Sequence, residues 1–217
     1  MIDVSDRTPD NPTAFAVKDC ALIAIATGRQ DYTLPELRND LRMVNADSIY
    51  YHFWGGLLQP RFEEREFNND FAGWARHYLH DYRLGEQLAM IDPTDFDDLE
   101  DLRREMLDLI EEHLDVEVGV SWQRASRPFE FIRSQIVVFD TNRRLNEPAE
   151  LAQLIPRLSP SSIFYHFIDA RRRSRENLDD FRTWLTNFNS RFDELRRDLG
   201  NVDPYFGSLM ELRDKLK

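Results

Sequence analysis

Apolar residues recur along this chain at the three-and-four spacing of helices that bury one face, and they do so in two series that resemble each other. The first series is Phe71, Trp74, Ala75, Tyr78 and Tyr82, and the second is Phe181, Trp184, Leu185, Phe188 and Phe192. Each reads as the inward stripe of one amphipathic helix, and aromatic stripes of this kind are ordinarily core. A further helix over 97–114 carries Leu99, Leu102, Met106, Leu109 and Ile110 on one side, and a shorter counterpart over 209–216 closes the chain. Polar residues mark the starts. Thr33-Leu34-Pro35-Glu36 is a capping box, with the threonine accepting backbone N–H groups and the glutamate reaching back, so a helix is predicted over 34–43. Asn146 and Pro148 mark the corresponding start later in the chain. The next helices begin near Ser48 and Ser162, and the stripe helices follow Asn68-Asn69-Asp70 and Leu178-Asp179-Asp180.

The likeness of the two series extends along the chain. At an offset of 114, residues 15–53 align with 129–167 without a gap, about ten of the 39 positions are identical, and Ser48–Phe53 (SIYYHF) falls on Ser162–Phe167 (SIFYHF). At an offset of 110 the match resumes. Asp70, Phe71 and Trp74 fall on Asp180, Phe181 and Trp184, while Phe96, Leu99, Leu102 and Arg103 fall on Phe206, Leu209, Leu212 and Arg213. Clustered, collinear matches indicate a duplicated helical module, with copies over 14–116 and 127–217. The join lies near 115–128, where helical periodicity fails and Gly119 and Pro128 appear. The expected fold class is therefore mainly α, with internally duplicated helical modules. The segments that lead the copies leave a minor pair of short strands open: Gln135–Asp140 (QIVVFD) has the branched residues of a strand, whereas Cys20–Thr27 (CALIAIAT) fits strand or helix equally well.

Composition narrows the class. With 41% hydrophobic and 31% charged residues and eight glycines among 217 residues, the chain reads as an ordinary folded protein of helical leaning. The single cysteine, Cys20, excludes an internal disulfide framework and a cysteine-rich zinc site, and suits a reducing cytoplasm. No apolar run approaches the roughly eighteen to twenty residues that span a bilayer, and the amino terminus is acidic and polar, so neither export nor membrane insertion is expected. The formal charge of −12 is uneven, because residues 1–114 hold 11 basic and 24 acidic side chains and residues 115–217 hold 17 and 16. Such a surface repels polyanions, so nucleic acid is not an expected partner.

Four features could carry chemistry. On a helix, Ser48, His52, Gly55 and Gly56 share one face, as do Ser162, His166, Asp169 and Ala170. With Tyr51 and Tyr165 beside them, they form candidate ligand-binding sites in which His52 and His166 could exchange protons near neutrality. Equally, each histidine could be bonded to a backbone carbonyl where helices meet. Arg103 and Arg213 fall on the apolar sides of their helices and need partners, for which Glu36 with Glu150, or Asp70 with Asp180, are candidates. Arg171, Arg172 and Arg175, in a run with Arg173, could hold a phosphate or carboxylate, or could be a solvated helix end. The pair His80-Asp81 after His52 superficially resembles the ligands of helical metal-dependent phosphohydrolases. His80, however, falls opposite the apolar stripe, and His77 and His80 are replaced by Asn187 and Ser190 in the second copy, so no metal site is expected. Neither a Gly-rich phosphate loop nor a GxSxG elbow is present, and no cofactor is expected.

Several of these motifs together resemble a known family. They are the phenylalanine-rich opening, Thr27-Gly28, Glu36-Leu37, the Ser48–His52 segment, Asn69-Asp70-Phe71-Ala72-Gly73-Trp74 and Leu102-Arg103, then Phe164-Tyr165-His166-Phe167, Ala170-Arg171 and Asp180-Phe181-Arg182-Thr183-Trp184-Leu185. The chain resembles, over nearly its whole length, the prokaryotic domain of unknown function family 5752. Asn142 stands where the family-like glycine would be in the second copy. Members of that family are often encoded near glycosyltransferases, so the resemblance implies a link to carbohydrate metabolism and no particular reaction. The expected function is a non-enzymatic binding or regulatory protein with a small-molecule or protein partner. An enzyme acting on a carbohydrate or sugar phosphate, with histidine as acid or base, is the alternative.

Overall fold

In the computed structural model the described residues are 14–59, 66–117, 119–188, 190–205 and 207–217. Phe206 and the polar amino-terminal stretch lie outside them. The chain begins with a long strand, β1 (Phe15–Thr33), followed by α1 (Leu34–Met43), α2 (Ala46–Trp54), α3 (Asp70–His77), α4 (Tyr82–Ala89) and α5 (Leu99–Val116). A second long strand, β2 (Arg124–Leu145), precedes α6 (Pro148–Leu154), α7 (Pro160–Ile163), α8 (Ala170–Arg173), α9 (Asp180–Leu185), α10 (Asp193–Gly200) and α11 (Leu209–Lys215). The protein is mainly helical, with β1 and β2 paired in a two-stranded antiparallel sheet.

Both leading segments are thus strands, at 19 and 22 residues far longer than a minor pair. Their first residues alternate, with Phe15 and Val17 buried in β1 and Phe129 and Phe131 buried in β2, while Ala16 and Glu130 face outward. Farther along, Ile23, Ala24 and Ala26 are exposed, so the apolar run has no buried helical face to gain and keeps the extended pairing.

A left-handed residue interrupts each strand, Gly28 at φ 79° and Asn142 at φ 59°. The preceding threonine accepts the following N–H in both places, Arg29 to Thr27 Oγ1 at 3.2 Å and Arg143 to Thr141 Oγ1 at 3.4 Å. Asparagine tolerates this conformation better than most side chains, which explains how it can stand in the glycine-like position. A Cβ added at Gly28 meets nothing within 4 Å, so the obstacle to substitution there is the backbone conformation alone. Gly28→Ala is therefore expected to cost about 1–2 kcal/mol and Gly28→Asn clearly less. Urea melts of the two variants check this, and equal losses would contradict it.

The chain forms two compact units that are discontinuous in sequence. A central unit comprises Leu22–Val137, and a terminal unit comprises Met1–Ala21 with Val138–Lys217. In the central unit, α1 begins at the capping box, with Thr33 accepting from Glu36 N and the Glu36 side chain accepting from Thr33 N. Its Leu34, Leu37 and Leu41 are buried, and α1 packs on α5, whose inward residues are Leu102, Met106 and Ile110. The stripe from Phe71 to Tyr82 is not one helix. His80 is left-handed at φ 60°, α3 ends at His77, and α4 restarts with Asp81 as its cap, leaving Tyr82 56% exposed. Asp81 is drawn away from a continuous helix by two bonds, to Leu84 N at 3.0 Å and to the buried His113 at 2.6 Å.

In the terminal unit, α6 starts at a capping box of Glu147 and Glu150, and α9 is capped by Asp179. Between α7 and α8 the helix widens to a π-helix over Phe164–Asp169. Asp169, buried at its end, occupies the position that Gly55 holds after α2, where an added Cβ would come within 2.7 Å of the Tyr51 ring. The wider turn is how the backbone accommodates a side chain at that point.

Candidate functional site

In the central unit, His52 sits on α2, 2% exposed, with both ring nitrogens engaged. Nδ1 meets Asp70 Oδ2 at 3.0 Å, and Nε2 accepts the backbone N–H of Ile132 at 3.1 Å. One helical turn earlier, Ser48 Oγ donates to the carbonyl of the same Ile132 at 2.7 Å. The i, i+4 spacing of serine and histidine thus clamps both sides of one residue of β2. The arrangement requires the neutral tautomer with hydrogen on Nδ1. Asp70 stands in the first turn of α3. The rings of Phe71 and Phe129 lie 5.3 and 4.7 Å from the imidazole.

The terminal unit holds the same arrangement. Lys18 N donates to His166 Nε2 at 2.8 Å, Ser162 Oγ donates to Lys18 O at 2.6 Å, and His166 Nδ1 meets Asp180 Oδ2 at 2.8 Å. Phe15 and Phe181 flank the ring at 4.8 and 5.7 Å. Here a guanidinium is added. Arg173 reaches Asp180 Oδ2 at 3.1 Å, Asp169 Oδ2 at 2.9 Å and the Tyr165 carbonyl at 2.9 Å, and lies 4.1 Å over the Tyr165 ring. Burial works against a charge on Asp180, but the His166 bond and Arg173 outweigh it and hold the carboxyl below its usual range. Nearby, Cys20 is pushed up to about 12 by burial and by the Asp19 and Asp169 charges, so it is an inert thiol.

The residues singled out in the sequence are therefore distributed unevenly. Ser48 joins His52, and Ser162 joins His166. Tyr51 and Tyr165 are buried next to the histidines, with the Tyr51 hydroxyl accepting from Gln59 at 2.7 Å. The arginine run is not one patch: Arg172 and Arg173 turn back to Asp169, the Arg171 guanidinium lies 4.8 Å over the Phe167 ring, and Arg175 is exposed. Arg103 does not use Glu36 or Asp70. It pairs with Glu100 through Nε and Nη2 and donates to the Leu41 and Val44 carbonyls at the end of α1, while Arg213 donates to the Leu158 carbonyl at 3.1 Å. Helix-end carbonyls, left open by the helix itself, are the partners the periodicity could not name. Asp70 and Asp180, one of the two acid pairs that were candidates for Arg103 and Arg213, bond to the histidines instead.

A cleft of about 600 Å³ adjoins His52 in the central unit, between α3 and the first residues of β2. Among the described residues no cluster of three or more His, Cys, Asp or Glu side chains could hold a metal ion, and no helix is long and apolar enough to cross a membrane.

Fold and site together define a mainly helical protein in which paired His–Asp–Ser clamps fasten the two strands. The chain belongs to the family described as family of unknown function (DUF5752), whose profile matches residues 12–217. Among solved structures it is similar to OrfY from Thermoproteus tenax, at 24% identity over 94% of this chain and 92% of that one, with a TM-score of 0.80. That likeness is one of fold. No curated protein matches the chain.

Proposed function

We propose that this is a non-enzymatic binding or regulatory protein of the cytoplasm, built from two diverged copies of one helical module that exchange the opening parts of their strands. The carrying observation is that each imidazole is buried with both nitrogens committed, one to a carboxylate and one to a strand amide. A general acid or base must be able to meet a substrate proton, and a ring closed on both sides by its own chain is better suited to fastening a strand. The duplication is supported by recurrence of the clamp at the sequence offsets of 114 and 110. The link to carbohydrate metabolism rests on the family resemblance alone.

If the histidines fasten strands, His52→Gln and His166→Gln each lower stability by about 1–3 kcal/mol and leave ligand binding intact after correction for the folded fraction. Denaturant titration with binding measurements on the folded protein decides this. The second reading, an enzyme acting on a carbohydrate or sugar phosphate, is favoured by one observation, that the His52–Asp70 pair lines a cleft. It requires variants that melt normally but lose turnover of a sugar phosphate on the order of a hundredfold or more.

A further inference from the structure

Helices cover the outer edge of β1 only in part. At Lys18 the edge is occupied, since its N–H goes to His166 and its carbonyl accepts from Ser162, so this residue turns its backbone away from β2. Alternate residues of an extended strand present their backbone groups to the same edge, and Leu22, Ala24 and Ala26 therefore turn theirs the same way. Leu22 is half-buried, Ala24 and Ala26 are exposed, and among the described residues no hydrogen bond from outside the sheet reaches their backbones. An open edge of this kind is a template for another strand.

Such edges are ordinarily blunted with charge or proline. β2 carries a charge of that sort. Its exposed Asp140, held by Arg144 at 2.7 Å, follows in the same alternation as Ile132, whose N–H and carbonyl turn to His52 and Ser48 and away from β1. At the offset of 114 the residue of β1 that corresponds to Asp140 is Ala26. From Leu22 to Thr27 β1 has neither charge nor proline, in a chain of which 31% of the residues are charged.

The sequence of this edge also matches itself. Ala21-Leu22-Ile23-Ala24-Ile25-Ala26-Thr27 reads nearly alike in both directions about Ala24. Antiparallel pairing of two such segments about a two-fold axis at Ala24 sets Leu22 against Ala26 and Ala24 against its own counterpart, each with backbone groups directed at the other. Ile23 then stands against Ile25 in a non-hydrogen-bonded pair, the kind in which side chains approach most closely. Ile23, 47% exposed in the single chain, is covered in this way, and no charge meets another across the paired segment.

We propose that the open edge of β1 at Leu22–Ala26 is an interface between two copies of this chain, which pair antiparallel about a two-fold axis at Ala24 and join their two-stranded sheets into one. The occupant is a second copy because the edge is complementary to itself in backbone direction, in side-chain size and in its lack of charge. Each copy spends its open edge on the other, so the assembly closes as a dimer. This goes beyond the reading of the chain as a binding or regulatory protein and does not depend on it.

The test is sedimentation velocity of the full chain over a concentration series reaching about 0.1 mM, together with amide hydrogen exchange. A reversible monomer–dimer equilibrium is expected, strengthened by added salt because both copies are acidic at a formal −12. Ala24→Lys sets like charges face to face at the axis, and Ala26→Asp gives β1 the charge that β2 has. Both positions are exposed, so Tm should stay near the parent's while the dimer dissociation constant rises roughly tenfold or more, and Val138→Lys in β2 should leave it unchanged. Exchange at Leu22, Ala24 and Ala26 should slow as concentration rises, while Ile23 and Ile25, whose amides already face β2, should not change. A parent that stays monomeric throughout, dimers indifferent to both β1 variants, growth beyond the dimer, or concentration-independent exchange at Leu22, Ala24 and Ala26 overturns the proposal.

Discussion

Phe129→Ala is expected to destabilise the protein by about 3–5 kcal/mol, as though a central core residue had been removed, although it lies near the start of a strand. Phe129 is 3% exposed, stacks on Phe71 at 4.7 Å and 15°, and meets Phe131 and Trp74 edge-on at 4.9 and 6.0 Å. Its removal empties the middle of the central unit and loosens the strand whose Ile132 is clamped by Ser48 and His52. Phe15→Ala should cost a similar amount in the terminal unit, where the ring lies 5.5 Å from Phe181 and 5.4 Å from Trp184. Double-mutant cycles on Phe129 with Phe71 and on Phe15 with Phe181 should return couplings of roughly 0.5–1.5 kcal/mol. Losses under about 1 kcal/mol, or additive cycles, would mean that the strand openings are not core.

Asp31→Asn should make the protein more stable at pH 8 and leave it nearly unchanged at pH 4.5. Asp31 is 5% exposed near the end of β1 and faces Asp40 and Glu36, with Arg29 as the compensating charge. Burial first, then the two neighbouring carboxylates, push its carboxyl up to about 7. The folded chain therefore holds a proton that the unfolded chain has released, and stability falls as pH rises from about 4 through about 7. The asparagine amide donates where the protonated carboxyl does and has no proton to lose. After allowance for solvent screening, the expected difference between parent and variant at pH 8 is about 3 kcal/mol in the variant's favour. Denaturant melts at the two pH values measure it, and a variant less stable than the parent at pH 8 would show that Asp31 is held as a stabilising carboxylate.

The helices were the most legible part of the chain because their signals are local. The Thr33–Glu36 box marks the start of α1, and the 97–114 stripe places α5 to within two residues. The break between α3 and α4 is hidden because one of the two bonds that hold Asp81 out of a continuous helix is with His113, 32 residues away. The strands were obscured for a similar reason. Only about four residues at the start of each alternate, too few to outweigh the uninterrupted apolar run that follows. Ser48 with His52 and Ser162 with His166 could be chosen as candidates because they recur on one helix face. Their aspartates also recur, but a helical wheel gives a direction and no reach, so the sequence leaves Asp70 and Asp180 only as one of two candidate acid pairs for Arg103 and Arg213. Arg173 lies four residues after Asp169, an ordinary helical pair, but its reach to Asp180 across to α9 has no local signal.

The division into units has a consequence for synthesis. Everything the central unit needs has been made once residue 137 is added, so it can close while the chain is still growing. The strand opening at Phe15–Ala21 is made before the central unit, yet its partners, among them His166, Phe181 and Trp184, are made after it. At about 5–20 residues per second it waits roughly 8–35 s until Phe181 and Trp184 are made. During that time an extended apolar segment has no unit to join, and Lys18 and Asp19 are the charges within it that oppose pairing with a neighbouring nascent chain.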